Sequence, residues 1–178
     1  MINEMFMPIP EHLTSACLAA FPERNWGGWH HYESGKQATR PCPELPNACH
    51  IALEALGASV SRPHGSFWDY EYHGSGLHYM PPGSRLGRHV DAEYHPTKPW
   101  RRTSSLVLFL NRFCGGDLIV GNQEFSCSEN RAFMFSSSIP HEVTEVIQGA
   151  RKSISLFSYE IDHGPKGSTR ATFEQDRH

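Results

Sequence analysis

No stretch of this protein approaches the run of about 18 apolar residues that a membrane-crossing helix needs. The opening residues, MINEMFMPIPEH, carry neither the charged start nor the long apolar segment of a secretory leader. A cytoplasmic protein without a membrane partner is expected. Cysteine is sparse: Cys17, Cys42, Cys49, Cys114 and Cys127 are odd in number and never form a Cys-x-x-Cys pair. That spacing signals neither a disulfide framework nor a zinc ribbon and predicts reduced thiols. Positive charge shows no surplus, with 16 Lys and Arg against 19 Asp and Glu for a formal net charge of -3. The balance speaks against a nucleic-acid partner, a local basic patch aside. Internal repeats and low-complexity tracts are lacking too.

What the sequence does have suits one globular domain over residues 1–178. Hydrophobic residues make up 38% and charged residues 20%, with 15 Gly and 13 Pro, a loop-rich composition. A domain of this size buries roughly 70% of the surface that it exposes when unfolded. The excess is histidine, 12 residues in all.

Residues 1–60 read as a helical lead-in. Leu13, Ala16, Cys17 and Ala20 fall at helical spacing within 11–21, and Ala48, Ile51, Ala52, Ala55 and Leu56 form one stripe between Pro46 and a stop at Gly57. The Gly- and Pro-rich connector between them, with Trp26, Trp29 and Tyr32, has room for a strand. From Gly65 the pattern turns to short β segments at 76–80, 106–110, 117–120, 131–135, 143–147 and 151–159. Pro, Gly, Asn and Ser clusters separate them, as in an antiparallel sandwich or barrel. The expected fold is mainly β with flanking helices (α+β): a β core over 65–160, N-terminal helices packed on it, and a polar tail over 162–178.

The chemistry concentrates in LHYMPPGSRLGRHVDAEYH. On extended backbone, residues two apart point to the same face, so His89 and Asp91 can converge on one metal. His141 heads a later β-rich run from which a strand can bring it to the same point. Two His and one carboxylate form a facial triad that leaves three positions of an octahedral Fe(II) open, although zinc hydrolases also use such ligands. Further on, Arg151, Ser153 and Ser155 share one face of the last strand. Plain amphipathicity sends that face to solvent; turned inward, the Arg151 fork pairs with a carboxylate. His95, three residues beyond Ala92 in a loop before Pro96, is a competing ligand. Lys98 to Arg102 form a small basic-aromatic patch, either solvated or in contact with substrate. The aromatics Phe67, Trp68, Tyr70 and Tyr72 pack in a sheet or belong to a lid over 61–76.

These residues resemble the HxD…H…RxS pattern of the Fe(II)- and 2-oxoglutarate-dependent oxygenases, the prolyl 4-hydroxylase-like branch in particular. The pattern stands here as His89-Val90-Asp91, His141 and Arg151 with Ser153. Tyr79 with Gly83, the Cys114-Gly115-Gly116-Asp117-Leu118 turn and HEVTEVIQGARKSISL extend the likeness over Leu77 to Tyr159. The resemblance implies a double-stranded β-helix (jelly-roll, cupin-like) core. It implies Fe(II) held by His89, Asp91 and His141, and 2-oxoglutarate bound by Arg151 with hydrogen bonds from Ser153 and Tyr79. O2 is the second co-substrate, and a C–H bond is hydroxylated with release of succinate and CO2. The branch suggests a side chain in a protein or peptide as substrate, proline first; a free amino acid or other small molecule is the alternative. Pro81-Pro82 lengthen the stretch before His89, which keeps His78 open as the inward residue in place of Tyr79, and Lys152 stands beside Arg151. The nucleic-acid-demethylating branch usually has a second Arg where this sequence has Phe157, and a silent metal-binding barrel has no need of both triad and Arg. The loop 92–103, with Tyr94 and Trp100, is expected to wall the substrate entrance.

Overall fold

The computed structural model describes residues 2–21, 30–32, 37–71, 74–126 and 128–163. The connector residues 22–29 and 33–36, Tyr72, His73, Cys127 and the tail from 164 onward lie outside the described residues. In sequence order the elements are β1 (Asn3–Phe6), α1 (Glu11–Ala19), β2 (His30–Tyr32), β3 (Gln37–Pro41), α2 (Asn47–Ala58), β4 (Phe67–Asp69) and β5 (Gly76–Met80). Then follow β6 (Leu86–His89), β7 (Trp100–Phe109), β8 (Cys114–Gly115), β9 (Leu118–Val120), β10 (Gln123–Phe125), β11 (Arg131–Ser136), β12 (His141–Val143), β13 (Val146–Gln148) and β14 (Arg151–Ile161).

A large antiparallel sheet runs β1-β11-β7-β14-β5-β3-β2, with β4 joined to β14, and a smaller one runs β10-β9-β12-β6. The alternation of β14 explains how both are held. Ile154 and Leu156 enter one core with Leu77, Leu106 and Leu108, against Cys17 of α1 and Cys49, Ala52, Leu53 and Leu56 of α2. Each fully buried Leu or Ile there contributes about 1.5–3 kcal/mol. The opposite face of the large sheet meets the small one across Met80, Val107, Phe109, Leu118, Val120, Phe133, Phe135, Val143 and Val146. Between the two sheets the functional side chains gather.

The lead-in is less helical than its composition implies. Strand β1 pairs with β11 and β3 with β5, so strands from the first 41 residues extend the large sheet at both edges. In α2 the buried face is Cys49, Ala52, Leu53 and Leu56, while Ile51 is exposed; the expected stripe is rotated by one position. Gly57 does not stop the helix but lies inside it. A Cβ there would stand 2.7 Å from Tyr70 Oη and 2.8 Å from Trp68 Cδ1, and Trp68 Nε1 donates to Gly57 O at 2.8 Å. The aromatic segment after α2 is thus sheet and helix packing. The expected strand over 143–147 is two strands, because Thr144 turns to Asp117, its N–H donating to that carbonyl at 3.0 Å, while Val146 donates to Ser84 O. The backbone switches partner there, from β6 and β9 to β8.

Cys17, Cys42, Cys49 and Cys114 are free, and the first three are buried. Burial pushes the Cys42 thiol up to about 12 and raises Cys17 and Cys49 as well, which suits inert reduced thiols. No helix among the described residues is long and apolar enough to cross a membrane.

Candidate active site

Strand β6 ends on His89 and β12 begins on His141, and the two are paired in register with ring centroids 4.2 Å apart. Asp91 lies just past β6, fixed by its backbone N–H donating to Ser137 O at 2.9 Å. Each imidazole turns Nδ1 to a backbone carbonyl, His89 to Gly87 O at 2.7 Å and His141 to Ile139 O at 3.0 Å. A carbonyl only accepts, so Nδ1 carries a proton, and Nε2 is the nitrogen left to bind a proton or a metal ion. Those two Nε2 atoms face one carboxylate, His89 at 3.5 Å from Asp91 Oδ1 and His141 at 3.2 Å from Oδ2. Two imidazole nitrogens meeting one carboxylate share a proton or a metal cation with it, and the three ligand atoms lie within 4.8 Å of one another. The donor set therefore fits a divalent transition ion.

The electrostatics agree. Burial alone would raise the Asp91 carboxyl, but hydrogen bonds from His141, His89 and Ser105 outweigh it and hold it well below the usual carboxylate range. The hydrogen bond with Asp91, opposed by burial, raises His89. Behind the carboxylate, the Ser105 hydroxyl donates to Oδ2 at 2.7 Å and lies 2.9 Å from the Ser137 hydroxyl. Arg102 Nη1 is 4.0 Å from Oδ1. Its Nε donates to Tyr159 Oη at 3.0 Å and its guanidinium lies 3.9 Å over the Phe157 ring.

A cavity of about 630 Å³ opens between the sheets beside this cluster, lined by His89, Asp91 and His141 and also by Arg151, Arg102, His78 and Gln37. Arg151 faces inward and is 4% exposed, so the Arg/Ser face of β14 is the cavity face. Its guanidinium lies 4.8 Å over Phe109 and Nη1 donates to Ser153 Oγ at 3.3 Å. The turn at Gly115 and Gly116 presses against it. Both have positive φ, and a Cβ on Gly116 would sit 3.3 Å from Arg151 Cδ, one on Gly115 2.3 Å from Glu145 O. Only glycine suits that crossing. On the wall the exposed Arg88 and Glu93 offset each other, so the buried Arg102 and Arg151 against the half-buried Asp91, with a divalent ion added, leave the cavity electropositive. That charge fits a dicarboxylate such as 2-oxoglutarate.

Tyr79 is not with them. It packs in the helix-side core, 6.4 Å from Phe21, and His78 lines the cavity instead. The period of two puts neighbours on opposite faces, and the two prolines after Met80 shift which parity points inward. A hydrogen bond from Tyr79 to the co-substrate is thereby corrected. Lys152 shares Tyr79's side, with Nζ 5.4 Å over Phe21.

The loop after Asp91 also differs from expectation. Tyr94 bridges Arg101, and His95 N–H donates to Trp100 O, so the segment is a hairpin leading into β7. Glu93 and Arg102 line the cavity, not Tyr94 or Trp100. Trp100 packs edge-on against Phe67 at 4.7 Å and His95 at 5.2 Å, with Lys98 Nζ 4.0 Å over its ring. His95 belongs to that stack rather than to the ligand cluster. Gln37 escapes a reading of the sequence because nothing marks a lone Gln in a Gly-rich connector as part of a sheet; its alternation with Thr39 beside β5 is the only signal.

The family model of the 2OG-Fe(II) oxygenase superfamily matches residues 75–159. The protein is similar in structure to a Pseudomonas putida prolyl-4-hydroxylase, at 21% identity over 92% of this chain and 93% of that one, with TM-score 0.66. It is similar to a 2OG-Fe(II) oxygenase family oxidoreductase from Burkholderia pseudomallei, at 19% identity over 88% and 84%, TM-score 0.65. A third is a prolyl hydroxylase from Trichoplax adhaerens, in complex with a hypoxia inducible factor oxygen degradation domain peptide fragment. That match has 18% identity over 89% and 83%, TM-score 0.63. At these identities the likeness to the solved structures is one of fold, the expected double-stranded β-helix. No curated protein matches the sequence.

Proposed function

We propose that this protein is an enzyme of the 2OG-Fe(II) oxygenase superfamily, whose family model matches residues 75–159 and whose members use Fe(II), 2-oxoglutarate and O2, and that it hydroxylates a C–H bond on a residue of a protein or peptide, proline first. His89, Asp91 and His141 would hold the metal. Arg151, with Ser153, would take the distal carboxylate of 2-oxoglutarate. The observation that carries the proposal is the convergence of three ligand atoms within 4.8 Å on the wall of the cavity that also buries Arg151. Bound Fe(II) supplies the activation of O2, coupled to decarboxylation of 2-oxoglutarate to succinate and CO2.

The protein's own residues do the rest. Carbonyl partners at Nδ1 keep both imidazoles in the ligating tautomer, and Ser105 fixes the carboxylate rotamer of Asp91. Arg151 forms a preoriented fork on a buried strand, and Leu118, Phe135 and Val143 keep the space around the triad apolar. A second substrate class, a free amino acid or other small carboxylate, is favoured by Arg102. That guanidinium is 6% exposed on the cavity wall and matches a carboxylate, which a free amino acid has and an internal prolyl residue lacks.

The test is aerobic incubation with Fe(II) and 2-oxoglutarate against a library of peptides and metabolites, following succinate and the gain of one oxygen by mass. A peptide that gains oxygen supports the first class and a small carboxylate the second. Succinate formation that ignores Fe(II) contradicts both.

A further inference from the structure

Gln37 stands on the cavity wall at the start of β3, 8% exposed, and its orientation is set by a neighbouring histidine. His78 Nε2 lies 2.9 Å from Gly74 O; since a carbonyl only accepts, that nitrogen carries the proton. Burial, partly offset by the Gly74 carbonyl and reinforced by Arg151, lowers His78 to about 4, so the ring is neutral and Nδ1 holds a lone pair. The group of Gln37 that faces Nδ1 at 2.5 Å must then be its NH2. The other hydrogen of that NH2 points toward Thr39 Oγ1 at 3.5 Å, and Thr39 itself sits 2.9 Å from Nδ1. Turning the amide round would set its oxygen against a lone pair.

Among the described residues, every side-chain hydrogen bond of Gln37 runs through Nε2. Its amide oxygen is therefore left to the cavity, an acceptor on a residue more than nine-tenths buried. A carboxylate has no hydrogen to offer it, so this oxygen has no use in binding 2-oxoglutarate. We propose that Gln37 is a specificity-determining residue whose amide oxygen accepts a hydrogen bond from an N–H group of the substrate, with His78 and Thr39 as the positioning residues that hold it so. The proposal rests on the oxygenase reading and narrows it. A prolyl residue inside a peptide has no N–H of its own, so the donor is a neighbouring amide of the peptide or the amine of a free amino acid.

The test uses the Zn(II)-loaded protein with 2-oxoglutarate, which is diamagnetic and does not turn over. Binding of 2-oxoglutarate is measured first; its failure counts against the oxygenase reading and not against Gln37. Long-range ¹H–¹⁵N NMR then reports the His78 tautomer. The expected state is neutral with the proton on Nε2; a proton on Nδ1 at neutral pH would reverse the amide and overturn the proposal. Last, N-methylacetamide, which has one N–H, and N,N-dimethylacetamide, which has none, are titrated as probes while the Gln37 and His78 resonances are followed. A single neutral hydrogen bond predicts a preference of about two- to tenfold for the N–H probe. Gln37→Met should bring the two probes level. Equal binding to the parent protein, or a preference that survives Gln37→Met, defeats the assignment. An N-acetylated and a free amino acid, compared in the same way, separate the amide from the amine as source.

Discussion

Lowering the pH from 8 to 5 should remove about 2 kcal/mol of folding stability through His78 alone. The ring is buried and bonded at both nitrogens, and its folded-state value of about 4 compares with 6.5 for the free side chain. The unfolded protein thus takes up a proton first as pH falls. The stability contribution is complete above 6.5 and is lost as the pH drops through the interval down to about 4. Two other groups act nearby. His89, raised by Asp91, works in the opposite sense, and Asp91, held low, loses its contribution only as the pH falls below the ordinary carboxylate range. The assay is therefore a difference: urea unfolding of the chelator-treated parent and of His78→Gln at pH 8, 6.5 and 5, extrapolated linearly. The parent should lose about 2 kcal/mol more than the variant between the first and last pH. Parallel losses would refute the claim that a neutral His78 is locked in the cavity wall.

Ser105→Ala should weaken Co(II) or Fe(II) binding by about 10- to 100-fold, because the hydroxyl that orients Asp91 is gone; metal titration followed by absorbance checks it, and an unchanged affinity removes Ser105 from the site. Arg151→Ala should cost about 2–5 kcal/mol of 2-oxoglutarate binding, at least tenfold in affinity, with metal affinity nearly intact. Lys152→Ala should change little, since that residue lies on the helix side; calorimetry on the metal-loaded protein would expose the opposite order. Gly57→Ala should destabilise the fold by about 1–3 kcal/mol, because its Cβ overlaps Tyr70 and Trp68. Its melting temperature, compared with that of an alanine substitution at exposed Ile51, measures the effect.

The parts of the molecule legible in the sequence are those where one local rule decides. The strand over Gly76–Met80 is bounded by Gly and Pro, and the folded protein has it with those ends. The His89-Asp91 spacing needs only extended backbone to bring both side chains together, and His141 heads a run whose β character is plain. Arg151 is ambiguous in sequence because amphipathicity and burial give opposite answers; the Gly115-Gly116 turn, which closes over it, breaks the tie. Parity is harder. One proline more or less before His89 exchanges His78 for Tyr79, and no local signal in the sequence fixes it. The strands β1 and β3 are hidden for another reason: their pairing partners lie far along the sequence, so their stability comes from β11 and β5 rather than from their own composition. Arg102 reads locally as one member of an exposed basic patch. An irregularity between Ser158 and Tyr159 shifts the register of β7 against β14, and both Arg102 and Ser105 then face the cavity.

The central claim, that three side chains build one metal centre that admits 2-oxoglutarate, is tested most directly by anaerobic equilibrium binding of Fe(II) and 2-oxoglutarate to the parent and to His141→Ala. The account predicts one Fe(II) per parent molecule, 2-oxoglutarate binding that strengthens when the metal is present, and loss of both in a variant that remains folded by circular dichroism. A folded His141→Ala that binds Fe(II) as tightly as the parent would contradict it.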